Sequence, residues 1–330
     1  MTAQSPQLPV PASISSPCLG SAGLSRTKPR TYRKPKGLAE DDDTLEVANP
    51  VKMFDRIVIH PVAWPNEALR WMGVPRHLPT TPPTQPVDLP QGVMSAGLRQ
   101  IFDYVADTIR QGTTVSREDL SNLVVEAFAS TACVQNAFIY TRAKAYLTLG
   151  EFRVRVEPMH GFSGSGIAPV LAYVDERFRA AQRAKLFTWR ATCMDSGDNR
   201  QDDDRVDMMD VVLLLAMAQE HRRWSVPADA TGCHTTRVMY PNAKGDALIV
   251  LTAVTPAETL AGIQDAADTL KRIKFSRREV RILGRNEEDG WAASPLLQMA
   301  WAMVKEGQEL AIKAPAPRWP IGPWAWTTHF

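Results

Sequence analysis

Residues 168–192 read APVLAYVDERFRAAQRAKLFTWRAT, and how this stretch folds decides the class of the molecule. It follows a glycine-rich loop and reads as one long helix. On a helical projection Arg179, Arg183 and Arg190 fall within about 40° of one another, so a single helix would carry them as a basic stripe.

On the N-terminal side, Phe152, Val154 and Val156 alternate with Glu151, Arg153, Arg155 and Glu157, a period of two that predicts a short, half-exposed strand. Before it a helix is predicted over 131–149, stopped by Gly150. Ser116 stands three residues before Asp119, a capping-box spacing, and opens a helix with Leu120, Leu123, Val124, Ala127 and Phe128 on one face. Leu98, Ile101, Phe102, Val105 and Ile109 recur at helical steps and mark another helix. On the C-terminal side, Asp202, Asp203 and Asp204 precede a helix over 205–224 that ends in His221, Arg222 and Arg223. Acids at the start and bases at the end suit the helix dipole.

Residues 97–226 thus read as a helical core, and 235–313 as a smaller α+β unit. In that unit 247–254 is a continuous apolar strand. Thr255, Pro256 and Glu258 have the order of a helix cap, first turn and capping box, followed by Leu260, Ile263, Ala267 and Leu270 on an inner face. A strand is predicted at 279–283, and a last helix opens at Ser294 and Pro295. The expected fold is mainly α, with this α+β C-terminal part and extended N- and C-terminal arms.

Residues 1–50 read as a disordered basic arm. Large apolar side chains are too few to offset the entropy of ordering, and Arg26, Lys28, Arg30, Arg33, Lys34 and Lys36 follow one another with no acid between them. Residues 51–96 read as a proline-rich extended strap with apolar anchors that include Trp64 and Trp71. Residues 314–330 form a Pro/Trp-rich tail.

The chain has 330 residues, 44% hydrophobic and 22% charged, with a formal net charge of +2. These values exclude wholesale disorder and shift attention from the sum of charge to its distribution. Cys18, Cys133, Cys193 and Cys233 form no C-x-x-C pair, which points to a reducing compartment and no disulfide framework. No secretory leader is expected from the first residues. The longest apolar run, 211–218, is too short to span a bilayer, so no membrane partner is expected.

Candidate chemistry is sparse. The loop Gly161-Phe162-Ser163-Gly164-Ser165-Gly166 lies between a predicted strand and helix, where backbone N–H groups can cradle phosphate. Its spacing departs from the dinucleotide fingerprint and the P-loop. Ser163 lacks the closing glycine of a nucleophile elbow, and His160 is near it only in sequence. Cys233-His234 is an adjacent pair with no zinc-spaced partner. No catalytic residue, metal site or cofactor is expected. A nucleotide-binding or hydrolytic enzyme built on 160–166 stays as one alternative, and a DNA-binding regulator with a helix-turn-helix in 97–130 as another.

The basic groups carry the functional reading. Beside the arm and the stripe of Arg179, Arg183 and Arg190, a third cluster comprises Lys271, Arg272, Lys274, Arg277, Arg278 and Arg281. Clustered Arg and Lys neutralise phosphates without reading bases. This layout of basic arm, helical core and extended ends resembles coat and nucleocapsid proteins of RNA viruses. The resemblance implies a structural protein of the virion and host cytoplasm. Its partners would be nucleic acid, RNA rather than DNA, and copies of itself.

Trp319, Trp324 and Trp326 stand among Pro315, Pro317, Pro320 and Pro323. A tail too rich in proline to form its own core needs a surface on which to bury its indoles, and a neighbouring subunit offers one. Deleting 314–330 is therefore expected to leave a folded protein that no longer assembles. Negative-stain microscopy and sedimentation check this, and undiminished assembly of the truncated chain would overturn it.

Overall fold

The computed structural model describes residues 46–48, 69, 72–75, 78–81, 87–135, 145–156, 158–162, 169–187, 206–265, 267, 269–284 and 291–313. The basic arm and the tail, with Trp319, Trp324 and Trp326, lie outside them.

The first two long helices are α1 (Ala96–Arg110) and α2 (Arg117–Val134). Ser116 caps α2 as its spacing predicts, accepting from the Asp119 amide at 3.1 Å, and Ser95 caps α1 in the same way through Leu98. A hairpin of β2 (Ala145–Leu149) and β3 (Phe152–Val156) follows; β1 (Glu46–Ala48) precedes the helices. Next come β4 (His160–Phe162), β5 (Leu171–Tyr173), α3 (Glu176–Phe187) and α4 (Met208–Arg223). The chain continues through β6 (Cys233–Pro241), β7 (Ala247–Pro256), α5 (Ala257–Gln264), β8 (Thr269–Lys271), β9 (Lys274–Arg281) and α6 (Pro295–Lys313).

Five of these strands form a mixed sheet in the order β4-β5-β6-β7-β9. Only β5 and β6 pair in parallel. The other neighbours are antiparallel. Two further two-stranded sheets pair β2 with β3 and β1 with β8. Helix accounts for 47% and strand for 25% of the described residues. The fold is therefore mixed α+β, which corrects the mainly α expectation.

The correction turns on 168–192. Val170, Leu171, Ala172, Tyr173 and Val174 are all buried, and Leu171–Tyr173 among them form the interior strand β5, not a helix start. A short apolar run bounded by proline and aspartate fits either structure by periodicity alone. Asp175 then opens α3 by accepting from the Phe178 amide at 2.6 Å. The helix expected over 131–149 is also replaced. Its first residues belong to α2, and Ala145, Leu147 and Leu149 are buried alternately along β2. The segment 233–241, given no structure from the sequence, is a central strand. Because β5 pairs with β6, the segments 97–226 and 235–313 build one sheet.

Alternate residues along the strands feed two cores. On one face Leu171, Tyr173, Met239, Leu248, Val250 and Val280 meet α1, α2 and α6. On the other, Ala172, Val174, Val238, Tyr240, Ile249 and Leu251 meet α4. Helix α4 is buried from Met208 through Ala218 on every side, because the β2–β3 hairpin packs on it too. A helix apolar all round is one enclosed by protein.

Inside this layer Arg179 of α3 donates to Asp210 of α4 through Nε at 3.1 Å and through Nη2 at 2.7 and 2.9 Å. Its guanidinium also lies 4.3 Å from the Tyr240 ring centre. Arg179 is only 1% exposed. Burial opposes its charge, but Asp210 and then Asp207 hold its pKa above the ordinary value. Breaking one half of such a pair strands a charge, so Asp210→Ala should destabilise the protein by about 3–5 kcal/mol. Urea unfolding measures it, and a midpoint unchanged from the wild type would contradict the assignment.

The far end of α4 carries a second buried polar group. His221 Nε2 donates to the Pro169 carbonyl at 2.9 Å, and the His234 ring stands edge-on at 5.9 Å. Burial, with smaller contributions from His234 and Arg237 set against the Pro169 bond, lowers the His221 pKa to about 4. The unfolded chain takes up this proton near pH 6.5 and the folded one only near 4. The associated stability is full above the first value and lost as pH falls towards the second, about 3 kcal/mol in all. His221→Gln, which keeps the donor, should flatten this part of the stability–pH curve. An unchanged slope between the two proteins would refute it.

Candidate nucleic-acid interface

The three basic groups read from the sequence meet different fates. Residues 26–36 and Arg190 lie outside the described residues. Arg183 belongs to α3, but its side chain is not among those described. Arg179 is not a surface charge: its fork is occupied by Asp210 in the interior, which removes it from the phosphate-binding set. Helical projection placed it on a stripe, but the solvated side of α3 is not the side that Arg179 occupies.

The third cluster is divided by the strand period. Lys271 ends β8 and pairs with Glu258 at 2.6 Å, both exposed. Arg272 is half-buried in the link to β9. Within β9, Arg277 shares a face with Phe275, which belongs to the α4 core, and its charge acts on Tyr240. Lys274 and Arg278 share the opposite face with Val280, which packs in the α6 core. Neighbours in sequence are thus two surfaces in space.

The Lys274 and Arg278 face acquires a residue from another strand. Arg237 of β6 lies across β7 in the row Arg237–Thr252–Ser276, next to the rows Thr235–Val254–Lys274 and Met239–Val250–Arg278. Burial falls away along this face. Met239, Leu248, Val250 and Val280 are buried, whereas Thr235, Arg237, Thr252, Val254, Ser276 and Arg278 are half-buried and Lys274 is exposed. Three cationic side chains and three hydroxyls therefore share one partly uncovered sheet surface. Sequence reasoning missed Arg237 because β6 was not recognised; the alternation of Thr235 and Arg237 with Thr236 and Val238 was its signal.

A carboxylate adjoins the patch. Glu306 of α6 accepts from Arg237 through two oxygens, at 3.0 and 2.9 Å, and this fork pins α6 to the sheet. Burial and then the Arg237 charge lower the pKa of Arg278. Hydroxyls and guanidinium groups suit phosphate oxygens and carry no base specificity.

The glycine loop offers less. Gly161 and Phe162 belong to β4, and Phe162 stacks on Phe128 at 4.5 Å; residues 163–168, with Ser163, lie outside the described residues. His160 Nε2 is 2.9 Å from the buried Ser121 hydroxyl, a contact that ties β4 to α2. Thr255, read as a helix cap, instead lies within β7, and α5 has no side-chain cap. Among the described residues no group of three His, Cys, Asp or Glu could hold a metal ion, and no helix is long and apolar enough to cross a membrane. No protein-family model matches the chain, and no curated protein does either.

Proposed function

We propose that the protein coats and packages nucleic acid by sequence-independent phosphate binding and by assembly with copies of itself, in the manner of viral coat and nucleocapsid proteins. The observation that supports this reading is the sheet face on which Lys274, Arg278 and Arg237 converge with Thr235, Thr252 and Ser276. The basic arm at 26–36 adds charge to the same task, and the tail supplies the grip between subunits. The layout favours RNA over DNA, and with it a place in the virion and the host cytoplasm.

Salt titration of RNA binding tests the phosphate reading. Affinity for single strands should fall steeply as salt rises and should differ little between sequences. Replacing Lys274 and Arg278 together by alanine should lower the slope of log K against log salt by about 1.4, at about 0.7 per lost contact. Arg237 is left in place because its fork with Glu306 supports α6. A flat salt dependence of the wild type, or a slope unmoved in the double variant, would overturn the assignment.

A further inference from the structure

The β2–β3 hairpin has a second face that the core does not use. Its register pairs Tyr146 with Arg155 and Thr148 with Arg153. Ala145, Leu147, Leu149 and Val156 point inward and are buried, while Tyr146 and Thr148 are half-buried and Arg153 and Arg155 exposed. The Arg153 guanidinium lies 4.0 Å from the Tyr146 ring centre. The ribbon is held firmly beneath. Gln219 of α4 accepts from the Thr148 amide at 2.6 Å and donates to its carbonyl at 2.9 Å, and the Gly150 amide at the turn donates to the Ile263 carbonyl at 3.2 Å.

We infer that this outward face is a base-stacking platform for single-stranded nucleic acid, with the Arg153 guanidinium, backed by the Tyr146 ring, as the stacking surface. The inference rests on the nucleic-acid reading above and narrows it to unpaired strands. Aromatic rings and guanidinium planes both accept bases, and such stacking tolerates any sequence because every base has a π face. A duplex keeps those faces covered and offers only its backbone and grooves. The ribbon is preorganised: the hydrogen bonds to Gln219 and Ile263 fix its backbone, and the Arg153–Tyr146 contact holds the two side chains together. Glu151, exposed at the turn, is the acid of the hairpin tip and sets the end at which a phosphate is disfavoured.

Fluorescence anisotropy with three labelled ligands of equal length tests this: oligouridylate, the same backbone with every base replaced by hydrogen, and duplex RNA. The full chain should prefer oligouridylate over the abasic strand about tenfold or more. Tyr146→Ala should abolish that preference, and Tyr146→Phe should keep it. The Lys274→Ala, Arg278→Ala double variant should weaken both strands alike. Equal binding of oligouridylate and abasic strand by the wild type would overturn the platform and leave phosphate binding standing. A preference that survives Tyr146→Ala would also overturn it. Binding of none of the three would remove both readings. Tight binding of polyglutamate that depends on Tyr146, without a base preference, would assign the ribbon to an acidic protein instead.

Discussion

A guanidinium enclosed by protein must be answered by a carboxylate, and in this molecule the requirement joins three separate parts of the chain. Arg179 follows the interior strand β5, Asp210 belongs to the first turn of α4, and Tyr240 lies on β6. Their contact ties the first turns of α3 and α4, opened by Asp175 and Asp207, to the sheet. It also places the buried run of α4 between the sheet and the β2–β3 hairpin. Without Asp210 the arginine would lose its hydrogen-bonded partner and keep only the weaker pull of Asp207, and a buried charge stripped of its partner is strongly disfavoured. The pair thus links α3, α4 and β6 through one polar contact inside an otherwise apolar layer.

Where a local signal matched the final environment, the fold was legible in the sequence. Ser116 and Asp119 announced α2, the apolar stripe of α1 was regular, and 247–254 read as the strand it is. Where burial is two-sided, the signal failed. Strand β5 is three residues long and apolar on both faces, so it resembles part of a helix, and β2 is built from Ala, Leu, Tyr and Thr, residues that do not exclude one. The candidate interface was half legible for a related reason. Lys274 and Arg278 stood out as a charge run, but their separation from Arg277 follows from a pleat, and their meeting with Arg237 follows from a register across β7. Neither quantity is local.

The two surfaces proposed for nucleic acid belong to different layers. The patch of Lys274, Arg278 and Arg237 is on the sheet face that packs on α6. The ribbon rests on α4, on the other side of the sheet. The first combines charge with hydroxyls, a chemistry for phosphates. The second adds a ring and a stacked guanidinium, a chemistry for bases. A strand bound at both would pass around the edge of the sheet and would have to bend to do so, which an unpaired chain does readily and a duplex resists.

The margins of the main sheet bear on how copies can meet. At one margin β4 has only three residues. At the other, the Arg277 amide donates to the Pro79 carbonyl and the Thr81 amide donates to the Arg277 carbonyl, each at 2.9 Å, so residues 79–81 occupy the outward backbone groups of β9 at its middle. An uncovered strand is a template for pairing with another chain; here one margin is too short and the other is screened from within. Any copies that assemble as proposed would find neither margin ready to extend the sheet into a continuous ladder. In the assembly proposed above, contacts would then fall to groups other than these backbone edges, and such contacts can be made and released without unzipping a backbone.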